Sequence, residues 1–155
     1  MRVGIGYDVH PLVKDRPLVL GGITLDYHLG LAGHSDADVL LHALADALLG
    51  AAGLGDIGRH FPPGDSRYRG ISSLILLEEV SREVKDKGFQ INNVDVVVVA
   101  EKPKLTPYFP AMQENIARVL QLSPERINLK ATTSEGLGFT GRGEGIAAWA
   151  VVSLI

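Results

Sequence analysis

The chain has 155 residues, 46% of them hydrophobic and 21% charged, which fits a folded globular protein and excludes disorder or collagen-like repetition. It has no cysteine, so a disulfide framework, a cysteine-based zinc finger, an iron–sulfur cluster and a thiol nucleophile are ruled out, and any transition metal must be held by His, Asp or Glu. The net charge of −3, with Lys and Arg scattered, argues against nucleic acid as a partner, and no apolar run approaches the roughly 20 residues that span a membrane. The first residues lack the pattern of a targeting segment, so the expectation is a cytoplasmic chain with a single domain over residues 1–155.

Residues 2–9 read as a strand, and residues 18–20 and 23–25 as a short hairpin turning on Gly21-Gly22. Ser35-Asp36-Ala37-Asp38 has the chemistry of a helix start, a hydroxyl cap followed by acids at the positive end of the dipole, and predicts a helix over residues 36–52. In it Val39, Leu40, Ala43, Leu44, Ala47 and Leu48 form an apolar stripe, while Ser35, Asp38, His42 and Asp46 share a polar face. Residues 53–69, rich in Gly, Pro and Asp, are too long for a simple connection and are expected to carry binding groups.

A second amphipathic helix is predicted over residues 71–87, stopped by Gly88, and a nearly all-apolar central strand over 94–100. Thr106-Pro107 reads as a cap with proline at the first helical position, opening a helix that tolerates Pro110 and ends near Gln121. Two further strands, residues 127–133 and 146–154, flank a glycine-dense stretch. The order predicts an α+β fold, a mixed β-sheet with helices packed on one face and ferredoxin-like βαβ elements, rather than a doubly wound parallel sheet.

Asp8 and His10 are two apart at the end of the first strand, so their side chains leave one face and can grip one ion; a turn-forming Asp and a solvated His are the plainer reading. His42 adds a second nitrogen, with Asp38 and Asp46 one turn away as outer partners, and two nitrogens with one carboxylate suit a tetrahedral zinc that keeps its fourth position open. Gly33-His34-Ser35 sits where backbone N–H groups and the helix dipole favour an anion, although Ser35 also reads as a plain N-cap. Ala131-Thr132-Thr133-Ser134-Glu135 sets hydroxyls suited to phosphate and a carboxylate suited to a hard divalent ion at a strand end; a polar strand end is the alternative.

The stretch from Gly136 to Gly145 lacks the Lys-Ser/Thr ending of a P-loop and fits tight turns or close chain packing at a subunit interface, with Arg142 and Glu144 paired to each other or across it. Lys102 and Lys104, flanking Pro103, mark either a solvated edge or a nucleotide-contacting loop, and Asp56 between Gly55 and Gly58 is a turn former or an acceptor for sugar hydroxyls.

Asp8-Val9-His10, His34-Ser35-Asp36-Ala37-Asp38 running to His42-Ala43-Leu44, Gly55-Asp56-Ile57-Gly58 and the run from Ala131 to Ala147 together resemble the 2-C-methyl-D-erythritol 2,4-cyclodiphosphate synthase family over essentially the whole chain. The resemblance implies a metal-dependent lyase of non-mevalonate isoprenoid biosynthesis, in which the 2-phosphate of 4-diphosphocytidyl-2-C-methyl-D-erythritol 2-phosphate attacks the β-phosphorus and CMP leaves. It implies one Zn2+ per subunit on Asp8, His10 and His42, and Mg2+ or Mn2+ bridging the substrate diphosphate with help from Glu135. His34 and Thr133 correspond to transition-state stabilisers, Ser35 and Thr132 to phosphate contacts, and Asp56, Ile57 and Gly58 to the ribose-binding stretch. Val9 and Ser134 lie within the matched segments and are expected to line the substrate.

Ala100, Glu101, Lys102, Pro103, Lys104, Leu105 and Thr106 resemble the cytosine and phosphate segment, with Lys104 facing phosphate, a part of the site that the family takes from a neighbouring subunit of a homotrimer. Phe139 and Arg142 match positions near the trimer axis, where the family has a cavity for isoprenoid diphosphates. The loop Phe61-Pro62-Pro63-Gly64-Asp65 departs from the pattern, because Pro63 stands where an Asp usually faces the erythritol; Ala37 and Ser134 replace the commoner Gly and Thr. A second reading of the same residues is a binding module for isoprenoid diphosphate or cytidine nucleotide with weak catalysis, which CMP release discriminates. A third, a structural zinc domain, predicts unfolding on chelation.

Overall fold

In the computed structural model, which describes residues 1–155, strand β1 (Arg2–Val13) runs antiparallel to the last strand of the chain from Arg2↔Leu154 to Pro11↔Gly145. The remaining strands in chain order are β2 (Leu18–Leu20), β3 (Ile23–Leu25), β4 (Gly30–Leu31), β5 (Ile91–Val99), β6 (Ile127–Thr132) and β7 (Gly145–Leu154). Five of them form one sheet in the order β4-β1-β7-β5-β6, in which β5 and β6 are parallel and the other pairs antiparallel; β2 and β3 make a separate hairpin. The sheet is therefore mixed, and the fold α+β.

Three long helices, α1 (Val39–Ala52), α3 (Ser73–Asp86) and α4 (Phe109–Leu120), two single turns, α2 (Ile57–His60) and α5 (Gly138–Gly141), and three short 3-10 turns complete the structure. Period-2 alternation decides which face the long helices cover. Val94, Val96 and Val98 of β5 and Ala148, Ala150 and Val152 of β7 are buried beneath them, in one continuous core with Leu40, Leu44 and Leu48 of α1. The opposite face carries Val3 (63% exposed), Ile5 (69%), Tyr7, Trp149 and Val151, and the Tyr7 and Trp149 rings contact at 4.6 Å between centroids, tilted by 46°.

The helix layer reaches the sheet most closely at α1. A β-carbon at Gly4 would lie 2.0 Å from the Ala47 carbonyl oxygen, and one at Gly6 2.0 Å from that of Ala43, so bare glycines on β1 meet small alanines on α1. Sequence reading placed Ala43 and Ala47 correctly on the apolar stripe. Gly4-x-Gly6 is their counterpart on β1, the close backbone approach that glycine inside a strand pattern signals.

Several boundaries depart from expectation. The first strand continues past Val9 through Pro11 to Val13, because the Pro11 carbonyl accepts from Ala32 N (2.9 Å) and Leu12 N donates to Glu144 O (2.9 Å); Asp8 and His10 are thus inside the strand, not at its end. Helix α1 starts at Val39 rather than at residue 36, since Ala37 sits in the left-handed region (φ 57°), and the N-cap is Asp38, not Ser35. The Ser35 hydroxyl instead accepts from Ala37 N (3.2 Å) in the turn before the helix. Thr106 makes no side-chain cap; residues Thr106–Tyr108 form a 3-10 turn leading into α4, with Pro110 in the first turn of that helix as expected.

Asp38 is fully buried and accepts from Leu41 N (3.1 Å), Gly21 N (3.0 Å) and Gly22 N (2.8 Å), tying the start of α1 to the β2–β3 turn. It is therefore not an outer partner of His42, and Asp46 is not one either, because its carboxylate accepts from Ile57 N (3.0 Å) to anchor α2. Burial pushes the Asp38 carboxyl up to about 7, with the Asp36 charge adding to it, against the pull of the backbone donors. An acid raised from 3.8 holds its proton in the folded chain over a range where the unfolded chain has lost it. Its contribution is full below pH ~4 and is lost as pH rises to ~7, at up to about 1.4 kcal/mol per pH unit. In chelator-treated protein, the stability difference between wild type and Asp38→Asn, from urea denaturation, is expected to narrow over that window; a difference that is flat with pH overturns the assignment.

Candidate active site

Even-numbered residues of β1 face the helix layer, so Asp8 and His10 point from the sheet toward α1, whose His42 comes down to meet them. Asp8 Oδ2 lies 2.8 Å from His10 Nε2 and 3.1 Å from His42 Nδ1, and the two ring nitrogens are 3.2 Å apart. The three form a group of potential metal ligands. Ligands held about 2.0–2.1 Å from a zinc ion at tetrahedral angles are about 3.3 Å from one another, so this near-equilateral triangle fits the ion's size as well as its donor preference. Burial works to raise the Asp8 carboxyl, but the hydrogen bonds and charges of His10 and His42 outweigh it and hold it below the usual carboxylate range. Burial likewise pulls the His42 imidazole down, and Asp8 more than offsets this, raising it.

His10 and His42 open into a cavity of about 250 Å3 lined also by His34, Ser35, Ile57, Gly58, Phe61, Pro63, Tyr68 and Leu76. His34 Nε2 donates to the Asp65 carbonyl (2.8 Å), which ties the loop around Pro63 to the turn ahead of α1. Asp65 itself is half-buried, and hydrogen bonds from Arg67 hold its carboxyl low. Asp56 caps α2, accepting from Arg59 N (2.9 Å), and so acts in a turn while remaining exposed beside Gly58. Tyr68 and Leu76 line this cavity without having been singled out from sequence; both fall in segments read as a loop and a helix face, with no chemical pattern to mark them.

A second cavity, of about 610 Å3, is lined by Tyr27, Ala100, Glu101, Lys102, Pro103, Lys104, Leu105, Thr106, Ala131, Thr132 and Thr133. It shares no lining residue with the first. The structure thus assembles many of the sequence-predicted residues in two groups: Asp8, His10, His34, Ser35, His42 and Gly58 in one, residues 100–106 with Thr132 and Thr133 in the other, whereas Val9, expected to line the substrate, is an odd-numbered residue of β1 on the opposite sheet face and belongs to neither. Glu135 joins neither the metal triad nor either cavity lining; it is exposed in a left-handed turn (φ 53°). The Glu101 carboxylate holds that turn, accepting from Ser134 N (2.8 Å) and Gly136 N (3.4 Å), a positioning duty that its place in a substrate segment did not reveal.

Past this turn, a β-carbon at Gly141 would fall 2.2 Å from the Gly136 carbonyl carbon, so the glycine-dense stretch is a close-packed turn enclosing α5, which the sequence did not show as helical. Arg142 pairs with Glu144 (Nε–Oε1 2.8 Å), the local of the two expected pairings, and lines a third cavity of about 310 Å3, with Phe139 nearby against Gly145. No helix of the structure is long and apolar enough to cross a membrane.

Along its whole length, residues 1–155, the chain matches the YgbB family. It belongs to that family. It is 65% identical over 154 residues to the 2-C-methyl-D-erythritol 2,4-cyclodiphosphate synthase of Desulforamulus reducens, covering 99% of this chain and 98% of that one. Among solved structures, a 2C-methyl-D-erythritol-2,4-cyclodiphosphate synthase in a CDP-bound form superposes with a TM-score of 0.91 at 41% identity, covering 99% of this chain and 100% of the other. The bifunctional IspDF of Campylobacter jejuni superposes with a TM-score of 0.95 at 48% identity, but the match covers 99% of this chain and 42% of that longer one. The YgbB chain described here is accordingly an enzyme of non-mevalonate isoprenoid biosynthesis of the cyclodiphosphate synthase type.

Proposed function

We propose that the chain closes 4-diphosphocytidyl-2-C-methyl-D-erythritol 2-phosphate into 2-C-methyl-D-erythritol 2,4-cyclodiphosphate by intramolecular attack. A 2-phosphate oxygen bonds to the β-phosphorus, the β-phosphorus–oxygen bond to the α-phosphate breaks, and CMP departs with that oxygen and the electron pair. Both reacting groups belong to one molecule, so the protein's task is to fold the substrate for in-line attack and to balance the charge on the phosphates. The observation that carries this reading is the convergence of Asp8, His10 and His42 within 3.2 Å at one wall of a cavity that also holds His34 and Ser35.

Asp8, His10 and His42 would hold Zn2+, and Glu135 would help hold Mg2+ or Mn2+; bound ions supply Lewis-acid polarisation of phosphoryl oxygens. His34 and Thr133 stabilise the charge that builds on the transferred phosphoryl group, and Ser35 and Thr132 donate to phosphate oxygens. Asp56 and Gly58 take the ribose, Lys104 faces a phosphate, and residues Ala100 to Thr106 enclose the cytosine in the larger cavity. The relative with a CDP-bound form supports placing a cytidine nucleotide there. The loop from Phe61 to Asp65 faces the erythritol with Pro63 in place of an acid, which leaves the sugar alcohol to be held by apolar contact with Phe61 and Pro63.

The site is completed between subunits of a homotrimer, with the first cavity of one subunit facing the second cavity of the next. Two features support this: the residues assigned to one reaction divide between cavities that share no residue, and the outer sheet face exposes a contiguous apolar cluster of Val3, Ile5, Tyr7, Trp149 and Val151, the kind of surface that marks an interaction site. Phe139 and Arg142 would then approach the trimer axis, where an isoprenoid diphosphate has an arginine to meet it. The charged nucleotide substrate makes the cytoplasm the compartment of this reading.

The test is incubation with the substrate and divalent metal. CMP and the cyclic product are expected in equal amounts, and binding without CMP release overturns the reaction in favour of a binding module. For Glu135→Gln, the magnesium or manganese needed for half-maximal turnover is expected to rise at least about tenfold with zinc content unchanged; an unaltered magnesium dependence refutes its role.

A further inference from the structure

Behind His42 lies a chain of polar groups to which the ligand set gives no role. Its Nδ1 faces Asp8 and His10, so a ring that holds a metal there must present a lone pair at Nδ1 and carry its proton at Nε2. Nε2 is 2.8 Å from the Ser73 hydroxyl and 3.2 Å from that of Ser35. The Ser73 hydroxyl is also hydrogen-bonded to Asp36 Oδ1. A carboxylate only accepts, so Ser73 donates to Asp36 and keeps a lone pair to accept from Nε2–H. The direction of the chain is fixed from its anionic end.

Asp36 is itself held on both sides: Oδ1 accepts from Asp38 N (3.1 Å) and Oδ2 from Ser73 N (2.9 Å), bridging the turn before α1 to the start of α3. Ser73 is 1% exposed, yet α3 does not need its hydroxyl as a cap, since Ser72 accepts from Leu74 N in that role. Ser35, farther from Nε2, has its oxygen engaged by Ala37 N and no carboxylate to orient it. The buried Ser73 hydroxyl therefore has one evident use besides packing.

We propose that Ser73 and Asp36 are positioning residues that lock His42 in the Nε2–H tautomer and aim its Nδ1 at the metal position. The inference rests on the reading of Asp8, His10 and His42 as ligands. Asp8 draws the ring proton of the metal-free chain toward Nδ1, the wrong nitrogen for binding, and the Ser73–Asp36 pair opposes it. Outer partners of this kind change metal affinity by about 10–100-fold when removed.

The experiment is a zinc-affinity titration against a competing chelator on the full-length protein, with side-chain nitrogen NMR of His42 in the zinc-loaded state. The expected result is a protected Nε2–H resonance in wild type, lost in Ser73→Ala, with zinc held about 10–100-fold more weakly. Asp36→Asn is expected to weaken zinc in the same direction. Because Ser73→Ala keeps the Ser73 N to Asp36 bond, it retains the join between the two helices, and its melting curve reports whether folding is intact. Wild-type zinc affinity in a folded Ser73→Ala, or a wild-type ring carrying its proton on Nδ1, overturns the proposal. His42→Ala is the control: loss of zinc there with no effect of Ser73→Ala sinks the positioning role alone, whereas full zinc binding by His42→Ala sinks the ligand reading.

Discussion

Gly6→Ala is expected to lose about 3 kcal/mol or more of stability, a fall of about 10 °C in Tm, and to lose bound zinc along with it. The added methyl carbon would fall 2.0 Å from the Ala43 carbonyl oxygen and 2.7 Å from Ala47 N, distances no side-chain rotation relieves because both atoms are helix backbone. Either α1 lifts from β1 or the strand bends. Gly6 is two residues before Asp8 and Ala43 follows His42, so lifting α1 widens the 3.1 Å gap between Asp8 Oδ2 and His42 Nδ1 that a metal needs. Gly50→Ala is the contrasting control: its β-carbon would come no nearer than 3.9 Å to Ile5 O, so the better helix propensity of alanine should stabilise by about 0.5–1 kcal/mol with zinc retained. Thermal melts and zinc content by atomic absorption decide it; a Gly6→Ala protein with wild-type Tm and zinc refutes the claim that this contact sets the triad.

The same contact explains what the sequence disclosed and what it hid. Hydrophobic period exposed α1, α3 and α4 and the buried faces of β5 and β7, and residue chemistry exposed Asp8, His10 and His42, because apolar stripes and metal-donor sets are written in side-chain types. Gly4 and Gly6 were silent because their role is the absence of a side chain opposite a helix that only the fold brings there. The error at Ser35 has a related cause: Ser-Asp-Ala-Asp offers several capping groups, and the choice of Asp38 depends on Ala37 taking a left-handed conformation, where glycine is the easier residue. Turns as short as α2 and α5 have no period to read. Helical spacing points to Asp38 and Asp46 as outer partners of His42, but its nearest one is Ser73 at the head of another helix, a contact between residues far apart in the chain.

The proposed division of the site between two cavities of neighbouring subunits leads to a subunit-complementation result with a numerical expectation. His42→Ala removes a residue of the metal cavity, and Lys104→Glu combined with Thr133→Val disables the other cavity; each protein alone is expected to release no CMP above background. Co-expressed with different tags and purified through both, they form only mixed rings. In a closed three-membered ring of either mixed composition, only one junction brings an intact metal cavity against an intact nucleotide cavity, so about one-third of wild-type activity should return. A mixed two-fold dimer would regain about one-half by the same counting, because one of its two sites is intact. If each chain instead used its own two cavities, every site would contain a defect and the mixed protein would stay inactive. The recovered fraction therefore reports at once whether the site spans subunits and how many subunits close the ring, and zinc content of two-thirds or one-third, according to composition, checks that the rings are mixed.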